Sequence, residues 1–330
     1  MTISVDLIES YVKSGQIFQR LRKIIVRNLY ITAEADLSRS VIVAGSGRSG
    51  TTWLSEIINF DNRYRLVFEP IRPEVVPSIA HFRPKQYLRP ETDSEEYLKP
   101  IDHILRGRIR NAFLDKHNMR FYSRRLLIKM IRGHLMLRWL HTHFPMLPII
   151  FLLRHPLAVA VSKQRIGWDT EELEGFLEQR ELLDDHLGKF VSLIHDATSD
   201  LERHVLIWCI ENYVVLRQFR QSELFITFYE NLCEQPLEEV VRLADFLGDD
   251  SIEKVMQSIR KPSATAIGYR APVMKRDIGA WRRKISREQM DRCLEILGAF
   301  GLQEVYGADP VPNSDGLSSI IKRPSSSEEQ

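Results

Sequence analysis

The chain has 330 residues, 44% of them hydrophobic, ordinary for a soluble globular protein and enough for one large α/β domain or two modest ones. Lysine and arginine number 46 against 44 aspartates and glutamates, so the molecule as a whole is no electrostatic sponge for nucleic acid or membrane, and any anion site is local. Cys209, Cys233 and Cys293 are odd in number and lack metal-ligand spacing, which argues for buried small side chains in a reducing compartment and against a disulfide framework or a zinc site.

In chain order, residues 1–38 come first. Their stretch SVDLIESYVKSGQIFQRLRKIIVRNLY carries charges throughout. It is neither a secretory signal nor a membrane span; it reads as an amphipathic helix and the protein as cytoplasmic. Residues 39–309 read as one domain. VIVAG (41–45) is a short β-branched apolar run ending in glycine, and TTWLSEIINF after it has a helical pattern, which makes strand, turn, helix. Further runs suited to buried strands are RLVFE (65–69), RLLIKMI (125–131), PIIFLLR (148–154) and ELFITFY (223–229), separated by longer helix-like stretches. The alternation predicts an α/β fold, P-loop-like, with a central parallel sheet flanked by helices on both faces. Insertions at about 75–124 and 166–204 interrupt it, the second acidic, Leu-rich and helical. RRKISREQMDRCLEILGAFGL (282–302) begins with a Ser-x-x-Gln capping box at Ser286 and Gln289 and continues as an amphipathic helix. Residues 310–330 are rich in Ser, Pro and Glu and read as a disordered tail.

The turn after the first strand admits more than one reading. Gly45, Gly47 and Gly50 spell the GxGxxG of a dinucleotide site, and Gly45 to Thr52 nearly spells GxxxxGK[ST], with Thr51 where lysine belongs. Nucleotide γ-phosphate chemistry fails without that lysine and without an evident acidic magnesium ligand after a strand. An NAD-type oxidoreductase is the sharper rival, because Glu69 follows Gly50 by nineteen residues, about where a ribose-binding acid sits. Nothing further along resembles a hydride-transfer site. Arg48 and a row of backbone N–H groups at a helix N-terminus still favour a phosphate-like anion.

RSGTTWLSEI resembles the 5′-phosphosulfate loop of sulfotransferases, the enzymes that use 3′-phosphoadenosine-5′-phosphosulfate (PAPS). IIFLLRHPLAVAVSKQR (149–165) resembles their 3′-phosphate motif, with Arg154 and Ser162 in the matching places. ITFYENLCEQPLEEVVRLADFLG (226–248) is similar to the family's Tyr-Glu-Asp-Leu segment, with Asn231 where Asp is usual, and MKRDIGAWRRKIS (274–286) is similar to its Gly-x-Trp segment. The resemblance covers roughly positions 40–305 and leans toward the carbohydrate and tyrosylprotein branch rather than the cytosolic one.

It implies a donor site and a transfer site, with no metal. Backbone N–H groups of Gly47 to Thr52 (Gly47, Arg48, Ser49, Gly50, Thr51, Thr52) and the hydroxyls of Ser49, Thr51 and Thr52 cradle the 5′ end, and Arg48 neutralises charge building on the bridging oxygen. Arg154 and Ser162 take the 3′-phosphate, with Lys275 and Arg276 as further candidates. Trp53 and Tyr229 are the adenine-pocket candidates. In the cytosolic branch the base is a histidine two residues after a strand lysine. Here Lys129 matches the lysine, but Ile131 fills the histidine position, and His134 is too far along to take that role. Glu69, in LVFEPIRP, occupies the place of the catalytic glutamate and is the expected general base; a structural carboxylate paired to Arg72 or another neighbour is the plainer alternative. The basic segment RGRIRNAFLDKHNMRFYSRR (106–125) also admits a nucleic-acid-binding reading, and a non-catalytic nucleotide binder is a third. An anionic or sugar acceptor explains the same segment, so no nucleic acid is expected. The residues name neither the acceptor nor the oligomeric state.

Overall fold

The protein is described from a computed structural model covering residues 31–32, 34–120, 122–248 and 277–321. The expected N-terminal helix, Lys275 and Arg276 lie outside the described residues.

Five parallel strands form the centre: β1 (Val41–Ala44), β2 (Arg65–Phe68), β3 (Leu126–Met130), β4 (Ile149–Leu153) and β5 (Phe225–Phe228), in the order β2-β3-β1-β4-β5. They coincide with the five apolar runs. Strand residues in β1 to β4 are buried throughout, so these runs need no polar alternation. Alternate side chains serve opposite faces. Val41, Val43, Leu66, Leu127, Ile150 and Leu152 pack with α1 (Thr51–Ile58) and with later helices α6 (Tyr229–Glu234) and α7 (Pro236–Leu247). Ile42, Ala44, Val67, Ile128, Phe151 and Leu153 join the larger core on the other face, built with α4 (Pro156–Arg165) and α5 (Asp200–Gln218). That core also takes in residues of α2 (Glu95–Leu105), α3 (Leu137–His143) and α8 (Arg287–Ala299).

The insertions are tied down by buried charge. Arg65, 1% exposed, grips Asp115 through Nε and Nη2 at 2.8 and 3.0 Å and donates to the Gly107 and Ile109 carbonyls, anchoring the first insertion to β2. In the basic segment, Arg106 and Arg108 pair with Asp102 and Glu34, which neutralises part of the charge that suggested nucleic acid. The second insertion is a succession of short helices, beginning with Glu172–Leu177. The capping box at α8 is formed in both directions by Ser286 and Gln289.

Composition misled at the C-terminal end. Over 310–321, read as part of a disordered tail, Leu317, Ile320 and Ile321 are buried and Leu317–Ile320 is a helical turn. Three apolar side chains spaced to one face outweigh the surrounding Ser and Pro once α5 offers a surface. The three cysteines are buried. No helix among the described residues is long and apolar enough to cross a membrane.

Candidate active site

In the sheet order, the chain moves from β3 on one side of β1 to β4 on the other, so the carboxyl ends of β1 and β4 bound a topological switch point, where ligands of α/β sheets bind. The glycine-rich turn leaves β1 here and Arg154 leaves β4. Two motifs more than a hundred residues apart meet: Arg48 Nε donates to Ser162 Oγ at 3.1 Å, and Arg154 Nη1 donates to the Arg48 carbonyl at 2.9 Å. Arg48, Ser162 and Arg154, assigned from the sequence to two anion sites, therefore sit together.

The turn is strained in a way that serves this meeting. Arg48 has φ 73°, a left-handed conformation that costs a non-glycine residue of order 1–3 kcal/mol. Gly50, at φ 100°, is the N-cap of α1 and supplies no side-chain cap, which leaves the first-turn N–H groups of Thr51, Thr52 and Trp53 for a ligand. A Cβ on Gly50 would lie 2.7 Å from Tyr229 Cδ2, and one on Gly47 would lie 2.6 Å from the Trp168 ring. Gly50 is thus required by its backbone conformation and by close approach, and a side chain at Gly47 would displace the Trp168 ring.

The charges are arranged for an anion. Neither Arg48 nor Arg154 has a carboxylate partner among the described residues; Arg154 lies over the Tyr229 ring, 4.1 Å from its centroid, and its Nε is buried without an acceptor. Burial, then the nearby Arg154 and Arg165, depress the Arg48 pKa below the ordinary arginine value, as expected for a partly desolvated cation beside other cations. Ser49 Oγ is also buried with no partner. Trp53 is 2% exposed and packs edge-on against Tyr229, ring centroids 5.6 Å apart, with its indole N–H unpaired.

Glu69 stands on the other side, just past β2, with φ 52°. β2 and β3 run in register with Phe68 opposite Lys129, and the Glu69 N–H bonds the Lys129 carbonyl. The carboxylate receives Lys129 Nζ at 2.6 Å and Arg132 Nη1 at 3.1 Å, with Arg72 at 3.8 Å. The Arg72 pair expected as the plainer alternative is therefore present but is the longest of the three contacts. Lys129 is nearly fully buried, and desolvation lowers its pKa despite the Glu69 charge. Both Glu69 oxygens are engaged by cations, a poor arrangement for holding a ribose hydroxyl. Ile131, in the histidine position, lies with its Cδ1 3.7 Å from where a Gly47 Cβ would be.

Four neighbours of these residues went unread in the sequence. Glu230, beside Tyr229, is buried, accepts from the His155 N–H at 2.9 Å and from Tyr306 Oη at 3.0 Å, and so joins the residue after Arg154 to the C-terminal segment. His155 stacks on Trp281 at 4.4 Å, accepts from the Leu157 N–H and donates Nε2–H to the Gly307 carbonyl. Burial pushes its pKa down to about 4. Trp168 covers Gly47, and Arg132 binds Glu69. The Tyr-Glu-Asn-Leu segment was the available signal for Glu230; the others depend on contacts far apart in sequence.

The family model for the sulfotransferase domain matches residues 38–266. The nodulation protein NoeE of Sinorhizobium fredii (strain NBRC 101917 / NGR234) is 26% identical over 275 residues, 79% of this chain and 64% of NoeE. The chain thus spans less than two-thirds of that relative's length. Among solved structures, the sulfotransferase domain of the Synechococcus PCC 7002 olefin synthase aligns with TM-score 0.46 and 16% identity over 82% of this chain and 98% of that one. Mouse sulfotransferase SULT7A1 complexed with PAP aligns with TM-score 0.40 and 14% identity over 87% and 88% of the two chains.

Proposed function

The chain belongs to the sulfotransferase family, and from that membership and the site's geometry we propose that it moves a sulfuryl group from PAPS to a hydroxyl or amine of an acceptor. The observation that carries the reading is the pair Arg48 and Arg154, held together at the uncapped start of α1 with no ion pair to a carboxylate among the described residues. A ligand with two separated anionic ends answers both.

In this reading the turn from Gly47 to Thr52 holds the 5′ phosphosulfate, and Arg154 with Ser162 holds the 3′ phosphate. Ser162 exchanges its Arg48 contact for the ligand, which frees the Arg48 guanidinium for the bridging oxygen. Trp53 and Tyr229 border the adenine side, and Lys275 and Arg276 add charge at the 3′ end by resemblance to the family. The donor supplies the sulfuryl group; transfer in line breaks its S–O bond to phosphate and makes one to the acceptor oxygen. Lys129 turns from Glu69 toward the departing phosphate as charge builds there. Glu69, released from that partner, takes the acceptor proton. The burial of all three cysteines agrees with a reducing cytoplasm.

Thermal unfolding with added nucleotide tests the reading. 3′-Phosphoadenosine-5′-phosphate (PAP) is expected to raise Tm without added metal, since it binds only the native state. A shift with NAD and none with PAP would establish the dinucleotide alternative instead. Mass spectrometry of a metabolite extract incubated with the protein and labelled PAPS then reports the acceptor.

A further inference from the structure

Glu230 is a buried carboxylate to which the donor reading gives no task, and its oxygens are taken by uncharged donors, the His155 N–H at 2.9 Å and Tyr306 Oη at 3.0 Å. Burial raises its pKa; the His155 N–H and then the Arg154 charge oppose that rise without cancelling it. A buried carboxylate held by neutral partners is costly, so its place calls for a reason.

The reason lies in what those partners hold. His155 follows Arg154 and is the N-cap of α4, the helix that carries Ser162 two turns further on. Its N–H meets Glu230, its carbonyl accepts from the Val159 N–H at 3.0 Å, Nδ1 accepts from the Leu157 N–H at 3.3 Å, and Nε2–H meets the Gly307 carbonyl at 3.1 Å. The bond to Glu230 fixes the peptide unit that joins Arg154 to His155, and the cap fixes the start of α4. One residue thus aims both side chains assigned to the 3′ phosphate. The C-terminal segment closes around that residue. Trp281 stacks on the imidazole, ring centroids 4.4 Å apart at 22°, and Tyr306 packs edge-on at 5.2 Å while its hydroxyl reaches Glu230. Arg154 itself lies over the ring of Tyr229, the residue before Glu230, and keeps its Nε without an acceptor. Glu230 therefore supplies negative potential to this guanidinium without occupying its donors, which stay available for a ligand.

We propose that His155 is the positioning residue of the 3′-phosphate clamp and that the segment from Trp281 to Gly307 locks it through Glu230, so that docking of this segment and binding of a 3′ phosphate strengthen one another. The inference rests on the sulfotransferase reading above. Trp281 and Tyr306 act through His155 and Glu230 on Arg154 and Ser162, and they do so without meeting the nucleotide. Such coupling is reciprocal: whatever factor the docked segment adds to 3′-phosphate affinity, the bound phosphate returns to docking.

The test uses the full chain in two arms. Tyr306→Phe deletes the hydroxyl that holds Glu230 and keeps the ring. Calorimetric titration is expected to show PAP bound roughly 10-fold more weakly by this variant, and adenosine-5′-phosphate, which lacks the 3′ phosphate, bound as by the native chain. A fall in Tm with PAP affinity unchanged, or equal losses for both nucleotides, overturns the proposal, because a merely structural hydroxyl gives one of those results. The second arm follows hydrogen exchange in the native chain, so it stands if the variant does not fold. Saturating PAP is expected to slow exchange of the Val305 and Tyr306 amides, both bonded to the Leu302 carbonyl, roughly 10-fold while leaving the amides of α2 unchanged. Unaltered exchange at Val305 and Tyr306, or equal slowing in α2, overturns the coupling. Failure of PAP to bind the native chain at all would instead remove the donor-site reading on which it stands.

Discussion

Replacing Glu69 with glutamine separates proton transfer from charge pairing, because the change keeps volume and one acceptor oxygen but removes the negative charge. In the structure that charge serves Lys129 at 2.6 Å and Arg132 at 3.1 Å, and the Lys129 side chain is 3% exposed. Breaking one partner out of a buried pair costs about 3–5 kcal/mol. Burial already depresses the Lys129 pKa, so neutralisation of the lysine offers a partial escape and the lower end, about 3 kcal/mol, is expected. For a domain of this size that is a fall in Tm of roughly 6–12 °C. Turnover, followed as labelled sulfate transferred from PAPS to the acceptor, is expected to fall about a hundredfold or more, or about 2.7 kcal/mol in the barrier, with donor affinity nearly unchanged. Lys129→Met in combination decides the mechanism. If Glu69 is the base, the double variant regains stability but turns over about a hundredfold more slowly than Lys129→Met alone. Equal turnover of the double variant and Lys129→Met would mean that Glu69 acts only through Lys129, and near-normal turnover of Glu69→Gln would remove it from catalysis altogether.

Arg154→Ala is expected to weaken PAP roughly 10- to 100-fold while hardly changing adenosine-5′-phosphosulfate, as calorimetric titration of both will show; equal losses would take the 3′ phosphate away from Arg154. Arg48→Ala is expected to lower kcat and donor affinity together, because the side chain meets the ligand before and during transfer; a pure kcat effect would confine it to the transition state. Gly50→Ala forces a Cβ to φ 100° and to within 2.7 Å of Tyr229, so a loss of about 2 kcal/mol in chemical denaturation should accompany a weakened PAP response; wild-type stability would show that the turn is not required. His155, neutral in the fold with a pKa of about 4 against 6.5 unfolded, contributes stability that is present above pH 6.5 and lost as pH falls to about 4, at most about 3 kcal/mol; His155→Gln should flatten that part of the pH curve.

The strands were legible because a strand buried on both faces leaves an uninterrupted apolar run, and five such runs stand out from this chain. The turn at Gly45–Thr52 and the run ending at Arg154 were legible for a related reason, since backbone that must approach an anion leaves glycines and a strand-end cation in the sequence. Glu211 and Lys163 were not. A charged residue in a long helix reads as solvated, and only the arrival of Lys85 from a distant loop makes Glu211 a fully buried carboxylate. Trp168 on Gly47 was hidden for the same reason, as was the ordering of 310–321, where the partner surface on α5 is supplied by residues far upstream.

The contacts around Glu230 also bear on how the chain is made. His155 Nε2 meets the Gly307 carbonyl across 152 residues, and Glu230 meets Tyr306 across 76. During synthesis at roughly 5–20 residues per second, Arg154 leaves the ribosome several seconds before Tyr306 does. Between the emergence of Glu230 and that of Tyr306 the sheet strands are all available, but the carboxylate of Glu230 has only half of its partners. A nascent chain arrested before Trp281 thus holds the arginine motif without the stacking of Trp281 on His155 and without the Tyr306 bond to Glu230.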